Sequence, residues 1–296
     1  MKLHFRTIST LLLFGILVST CTKDLDTNIP FEGPRISVTA RIDPSEGFTA
    51  FVNQTAPPTG DQTLSTLTLP EAQVILYSSS EAFFVNSQGD GFFSLTNIPI
   101  SESDSFRLEI IAPNLDTLKS KWVIIPPGIE DPFLEEIIEL DTIVPDPFTY
   151  NRVRLNFSGI DPPGDNKYLI EVTHNVNFSS TLFFDFFADF DSESCEVFNF
   201  NSIFFPDICF TNEAWEFTLV PDLFLFTFGG QRLEFEDYIF VVRSIDENYF
   251  NYQLDRLNLD DLRGIILEPR ASVTNVTGGE GLFVASNSFR RVLARP

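Results

Sequence analysis

Few residues of this chain have the types and spacing that catalysis or cofactor binding requires. His174 could act as a general base, but the sequence contains no Gly-x-Ser-x-Gly or His-Glu-x-x-His motif to accompany it. The loop Gly278–Gly281 lacks the Lys and the Ser or Thr of a P-loop, and Glu280 would repel phosphate. We interpret this loop as a turn whose glycines adopt positive φ before a strand. We therefore predict no catalytic residue, no cofactor and no enzymatic activity.

Metal chemistry has equally little support in the sequence. The acidic segment Asp189–Glu193 offers oxygen ligands for calcium but lacks the Gly and the terminal Glu of an EF-hand loop, so we interpret it as a solvated loop. A zinc site would need more ligands than Cys195, Cys209 and His174 provide. We predict no metal site. In an oxidising compartment Cys195 and Cys209 form a candidate disulfide, worth about 3 kcal/mol in the chain-entropy model.

The N-terminal residues have the pattern of an export signal. Two basic residues precede the apolar run Leu11–Val18, and a run of this length is typical of a secretory signal peptide and too short to span a membrane. The segment Leu17–Cys21 resembles a bacterial lipobox, in which the cysteine is acylated and becomes the new N-terminus. We predict a signal peptide over residues 1–20 and lipidation at Cys21. The alternative is an ordinary signal peptide with an incidental cysteine.

Residues 21–34 predict a lipidated tether that joins the membrane to the folded chain. They contain prolines, a glycine and, just after Cys21, acidic residues similar to the signal that directs lipoproteins of Bacteroidota-type bacteria to the outer membrane or cell surface. We expect a lipid-anchored outer-membrane protein that faces the periplasm or the cell exterior. The chain has 42 acidic against 19 basic residues, a net charge of -23, so we expect no nucleic-acid partner.

Period-2 alternation of apolar residues dominates the remaining chain and predicts an all-β protein. Ile36–Ile42 and Phe106–Ile110 are clear examples. Short strands separated by Gly, Pro and Asn turns favour β-sandwiches. We predict an Ig-like or carboxypeptidase-regulatory-like β-sandwich domain over residues 35–126, a linker or connecting strand over residues 127–149, and a larger sandwich-like C-terminal domain over residues 150–296.

The C-terminal domain is expected to contain one short helix among its strands. An apolar stripe predicts this helix over Glu247–Leu262. The alternating segments Val153–Phe157 and Tyr168–Val172, separated by a Pro- and Gly-rich turn, predict a hairpin. A late strand is predicted over Leu282–Ala285.

The segment Tyr168–Gln231 has an unusual composition. It contains ten acidic residues, no Lys or Arg, and a high density of Phe. One interpretation is a strand buried on one face and covered by the Cys195–Cys209 loop on the other. The other interpretation is an exposed aromatic surface for a partner protein or an apolar ligand. The residues of this candidate partner surface are Phe183, Phe184, Phe186, Phe187, Phe190, Phe204 and Phe205.

The order of the strand segments Ala72–Leu76, Gly91–Leu95 and Phe106–Ile110 resembles a carboxypeptidase-regulatory-like or immunoglobulin-like module. Together with the lipobox, the segments Asn248–Tyr252 and Asn275–Phe283 resemble the Bacteroidota lipoprotein family known as domain of unknown function 4249. That family has no established catalytic residues. The resemblance implies an envelope lipoprotein that works beside an outer-membrane nutrient transporter of the TonB-dependent type.

These observations favour a non-catalytic, lipid-anchored binding or accessory module. An envelope hydrolase with an acidic site in the C-terminal domain is one alternative, and the absence of a nucleophile–base motif speaks against it. A surface adhesion or structural protein is another, because tandem Ig-like domains also serve that role.

Overall fold

Alternating apolar side chains build the strands of the protein, as its first strand illustrates. In this computed structural model, strand β1 comprises Ile36–Asp43. Every second residue from Ile36 to Ile42 is buried, whereas Thr39 is exposed. Because successive side chains of a strand point to opposite faces, this alternation places one face of β1 in the core. The protein is mainly β, as the sequence predicted.

The structure describes residues 31–57, 67–129, 133–140, 151–160, 162–174, 184–188, 198–199, 203–206, 214–221, 227–228, 231–232, 237–260 and 273–294. The chain divides into two units, one of Met1–Gly33 with Pro57–Asp61 and one of Pro34–Ala56 with Gln62–Pro296. All the strands and the helix given below belong to the second unit.

The strands that follow β1 in the first half of the chain are β2 (Gly47–Gln54), β3 (Gln73–Ser78), β4 (Ala82–Gly89), β5 (Phe92–Leu95), β6 (Ser105–Ile111), β7 (Leu118–Ser120), β8 (Val123–Ile124) and β9 (Phe133–Leu140). Those of the second half are β10 (Asn151–Ile160), β11 (Lys167–His174), β12 (Phe184–Ala188), β13 (Phe198–Asn199), β14 (Ile203–Pro206), β15 (Ala214–Pro221), β16 (Thr227–Phe228), β17 (Gln231–Arg232), β18 (Asp237–Ile245), β19 (Val276–Thr277) and β20 (Gly279–Ala294). Helix α1 comprises Glu247–Asp260 and lies between β18 and β19.

Fourteen strands form one large open sheet, in the order β13-β14-β11-β18-β20-β1-β2-β5-β4-β3-β6-β7-β19, with β8 paired to β6. A four-stranded sheet has the order β12-β15-β10-β9, and β16 pairs with β17. The strand expected between residues 127 and 149 is present as β9 and belongs to the four-stranded sheet.

One apolar core joins the two halves of the N-terminal part of the large sheet. Buried side chains of β1 and β2 pack in the same cluster as those of β3 and β6, so the sheet folds over itself as a sandwich. The cluster also contains Val276, Phe283 and Ala285 from the end of the chain. The ring of Phe283 makes an edge-on contact with Phe48, with 6.0 Å between the ring centroids.

Strand β20 is shared between the N-terminal and C-terminal parts of the large sheet. Its residues Gly279–Ala285 pair in parallel with β1, and its residues Ser286–Ala294 pair antiparallel with β18. The large sheet is therefore continuous from residues of the predicted N-terminal domain to residues of the predicted C-terminal domain. The division into two domains stays a prediction.

Helix α1 confirms the predicted helix over Glu247–Asp260, and residues 261 and 262 of the prediction lie outside the described residues. Its Phe250 and Leu254 pack with Leu169, Phe204 and Ile245 in a second apolar cluster. The predicted hairpin between β10 and β11 is wrong: β10 pairs with β9 and β15, whereas β11 pairs with β14 and β18 of the large sheet. The Pro-rich turn between these strands connects two sheets.

Candidate functional site

Arg107 lies on the outward face of strand β6, on the side away from the core. Strand β6 buries every second residue from Phe106 to Ile110, so Arg107 lies on the opposite face. The strand register places Tyr77 of β3 directly opposite Arg107. Trp122, the residue before β8, is the neighbour of Arg107 on its other side. Three chain segments thus meet at this position.

Two aromatic rings hold the Arg107 guanidinium. Its Cζ atom lies 4.8 Å from the centroid of the Tyr77 ring and 5.4 Å from that of the Trp122 ring, both within cation–π range. The Nε atom of Arg107 is buried and has no hydrogen-bond partner. The rings therefore orient the guanidinium, while no carboxylate of the described residues forms an ion pair with it.

Large exposed apolar side chains of β4 and β8 lie on the same sheet face as this arginine. Phe84 is 63% exposed, Ile124 is 58% exposed and Trp122 is 47% exposed. We define the Arg107 surface by Tyr77, Phe84, Arg107, Trp122 and Ile124. A single exposed apolar residue is ordinary, but Trp, Tyr and Arg together are the residue types that dominate binding energy at protein interfaces. The Arg107 surface is the candidate functional site of the chain.

A second polar cluster lies buried beneath α1, around Arg243 of β18. Arg243 Nε donates to Glu171 at 3.0 Å, Nη2 donates to Glu46 at 2.8 Å, and Nη1 lies 3.5 Å from Asp43 Oδ2. Burial alone would lower the pKa of Arg243, but the charges of Glu171 and Glu46 hold it above its ordinary value. Arg41 forms a further ion pair with Glu46. The cluster joins β1 and the β1–β2 turn to β11 and β18.

Asp43 of this cluster is completely buried and bound by serines. It accepts hydrogen bonds from Ser286 Oγ at 2.6 Å, from Ser288 Oγ at 2.8 Å, and from the amide and hydroxyl of Ser45 at 2.9 and 2.8 Å. Burial raises the pKa of Asp43, but these hydrogen bonds together outweigh burial and lower it. All three nitrogens of the Arg243 guanidinium and both oxygens of Asp43 contact polar partners within the cluster. The cluster therefore stabilises the packing of the strands that it joins.

Asp246 connects α1 to β20. Its Oδ1 accepts a hydrogen bond from the Tyr249 amide at 2.7 Å, which is the geometry of a helix N-cap, and its Oδ2 accepts one from the Ala285 amide at 2.7 Å. Burial raises the pKa of Asp246 to about 6, although the backbone amides that donate to it limit the rise. The side chain therefore fixes the start of the helix to the strand below.

Within the described residues, no group of three or more His, Cys, Asp or Glu side chains is arranged to hold a metal ion. No helix in the same part of the chain is both long and apolar enough to cross a membrane.

A family model described as a domain of unknown function, DUF4249, matches residues 22–291. The chain belongs to this family. No curated protein matches the sequence. Among solved structures, a similar chain is the major pilin subunit of Bacillus cereus, with 10% identity, a TM-score of 0.24, and coverage of 72% of this chain and 64% of the pilin chain. The chain thus spans about 64% of the pilin's length, and this TM-score supports no argument about fold or function.

The segment Asn275–Phe283 of this DUF4249 chain connects β19 to β20, but the turn predicted over Gly278–Gly281 is shorter than expected, because Gly279–Gly281 already belong to β20 and pair with β1. The Asn275 side chain accepts from the Phe283 amide at 2.9 Å and donates to the Phe283 carbonyl at 2.6 Å. Gly278 and Gly281 have φ values of +76° and +119°. A Cβ on Gly281 would lie 1.9 Å from the Val38 carbonyl oxygen. Glycine is required there because β1 and β20 approach each other closely.

The structure describes the side chains of only two residues of the candidate partner surface predicted from the sequence. Phe204 and Phe205 are buried, with Phe204 against Phe250 and Phe205 against Tyr168. The prediction that these two are exposed is wrong, because α1 covers Phe204 on one face of β14 and Phe205 packs against Tyr168 of β11. Phe184, Phe186 and Phe187 lie on β12 with only their backbone described. Phe183, Phe190, Cys21, Cys195 and Cys209 lie outside the described residues.

Sequence analysis missed the Arg107 surface entirely. The only signal available was the strand pattern at Phe106–Ile110, in which Arg107 is an outward residue. Trp122 and Tyr77 are 15 and 30 positions away along the chain, so no local motif connects them to Arg107.

Proposed function

We propose that this DUF4249 protein is a lipid-anchored lipoprotein of a Bacteroidota-type cell envelope. It acts there as a non-catalytic binding module beside an outer-membrane transporter of the TonB-dependent type. The observation that carries the proposal is the Arg107 surface. It combines Tyr, Arg and Trp, in contact with one another through Arg107, with exposed Phe84 and Ile124 on the same sheet face, which is the composition of an interface centre rather than of a solvated face.

The anchor half of the proposal rests on the N-terminal sequence. An acylated Cys21 followed by a tether of residues 22–34 would hold the β-fold close to the membrane, where each buried methylene contributes about 0.8 kcal/mol. Mass spectrometry of the N-terminal peptide is expected to find acyl chains on Cys21. Cys21→Ser is expected to release the protein from the membrane fraction. An unmodified Cys21 in membrane-bound protein would contradict the anchor.

The binding half is tested by affinity capture from detergent-solubilised outer membranes. We expect the wild-type chain to capture a transporter protein, and Trp122→Ala to reduce capture about tenfold or more, because truncating a central interface Trp costs about 2 kcal/mol or more. Ile160→Ala is the matched control, since Ile160 is 65% exposed but lies on β10 of the four-stranded sheet, whereas the Arg107 surface belongs to the large sheet. Equal capture by Trp122→Ala and Ile160→Ala would remove the Arg107 surface as the binding site.

A further inference from the structure

We propose that the Arg107 surface takes an acidic segment of a partner protein, which places a carboxylate on Arg107 and apolar side chains against Trp122 and Ile124. This inference rests on the binding function proposed above and specifies the chemistry of the partner.

The state of the Arg107 guanidinium is the first observation. Arg41 and Arg243, whose ion pairs are described, both contact Glu46. Arg107 instead has aromatic rings on both sides and a buried Nε without a hydrogen-bond partner. Because Nε is buried, the two terminal Nη groups are the part of the guanidinium that can form a bidentate fork for a carboxylate, and the flanking rings hold that fork in place. Little side-chain entropy is lost when such an arginine binds.

Local charge is the second observation. The chain as a whole is strongly acidic, with a net charge of -23. Close to Trp122 in the chain, Lys119 and Lys121 are both exposed, and the acidic residue on Arg107's face of β6 is Glu109. Lys119 Nζ lies 3.6 Å from Glu109, so this lysine offsets the charge of the Glu109 carboxylate. A basic patch on an acidic protein attracts an acidic segment and aligns it during encounter.

The apolar rim is the third observation and determines the class of partner. Ile124 and Phe84 are more than half exposed on the same face, and a small anion would leave them in water. A protein segment that alternates carboxylates with apolar side chains would cover both the cation and the rim. An acidic glycan would use the cation but leave the aliphatic side chains largely uncovered.

Zero-length crosslinking tests this geometry directly. A water-soluble carbodiimide joins amines to carboxylates that are in contact, so the complex captured from outer membranes is treated with it and analysed by mass spectrometry. We expect conjugates between Lys119 or Lys121 and an Asp or Glu of the captured protein. Arg107→Gln is expected to reduce both capture and conjugates about tenfold or more, whereas Arg290→Gln, an exposed arginine on β20, leaves them unchanged.

The outcomes separate this inference from the function it rests on. If capture depends on Trp122 but not on Arg107, or if the conjugates form through lysines elsewhere, the binding function stands and the acidic partner is refuted. If soluble polygalacturonate displaces the captured protein from the wild type but not from Arg107→Gln, the surface takes an acidic glycan and the protein partner is refuted. If the wild type captures no membrane protein, both proposals fall. Arg107→Lys, which keeps the charge but not the fork, is expected to restore less than half of the lost capture.

Discussion

Replacing Arg243 with Met removes the central cation of the buried cluster while keeping a long apolar side chain in its place. The variant leaves the carboxylates of Asp43, Glu46 and Glu171 without their shared partner. Each N–O pair at about 3 Å corresponds to about 5 kcal/mol of Coulomb attraction at an effective dielectric constant of about 20, and much of this is offset by the cost of burying the charges. Truncating one partner of a buried ion pair typically costs about 3–5 kcal/mol.

The structure places the expected loss at the lower end of that range. The side chains of Glu46 and Glu171 remain 25% and 29% exposed, so both can regain water when Arg243 is removed. Asp43 is completely buried, but its serine hydrogen bonds persist in the variant. We therefore expect Arg243→Met to lower the free energy of unfolding by about 3 kcal/mol at pH 7. That loss corresponds to a melting temperature lower by about 6–12 °C.

Urea unfolding of the chain from residue 22 onward measures this loss, with Arg290→Met as the control. Arg290 is exposed on β20, so its replacement is expected to change the unfolding free energy by less than about 0.5 kcal/mol. The pH dependence supplies a second readout. Protonation relieves the buried Asp43 carboxylate once its arginine partner is gone, so the difference between Arg243→Met and wild type is expected to shrink toward pH 4. A loss below about 1 kcal/mol at pH 7, or a loss independent of pH, would refute the claim that the ion pairs of Arg243 stabilise the folded chain.

Two further predictions concern the junction between α1, β1 and β20. The pKa of Asp246, about 6 in the folded chain, exceeds its ordinary value of 3.8, so the folded state binds this proton more tightly and gains up to about 3 kcal/mol of stability as the pH falls from about 6 to 4. Asp246→Asn keeps an N-cap acceptor but removes this gain, which unfolding free energies measured across that pH range would show; an unchanged pH slope contradicts the assignment. Gly281→Ala is expected to cost at least about 2 kcal/mol more than Gly89→Ala in urea unfolding, because both glycines have positive φ but only the Cβ at Gly281 would overlap the Val38 carbonyl. Equal losses would show that φ alone matters.

The periodicity of apolar residues was sufficient to predict a strand or helix wherever that element has one buried face. The alternation at Ile36–Ile42 gave a strand that the structure extends only to Asp43. The apolar stripe of Phe250 and Leu254 faces a core in α1, as expected. The residues that define each of these elements are only a few positions apart in the chain. A periodic pattern over so short a segment can be recognised from the sequence alone.

Pairing between distant segments could not be predicted in the same way. The predicted strand Leu282–Ala285 is part of β20, which continues to Ala294 because β18 and β1 supply partners for different portions of it. Arg243 and Asp43 are 200 positions apart, and neither residue signals the other. The buried Phe204 likewise gives no local sign that α1 covers it. These features depend on strand order, which alternation leaves undetermined.

The Arg107 surface is another feature that depends on contacts between distant segments. Composition alone indicates the Phe-rich segment 168–231 instead. The dense Phe of the segment 168–231 is conspicuous along the chain, whereas Tyr77, Arg107 and Trp122 are three ordinary residues of three segments. They become a unit only when β3 and β6 pair in one register and the residue before β8 lies next to that pair. A shift of either register by one residue would turn one side chain into the core and separate the cation from a ring. The binding chemistry proposed for this protein is therefore a property of sheet register, and variants that disturb the β3–β6 pairing should abolish it even when all three residues are retained.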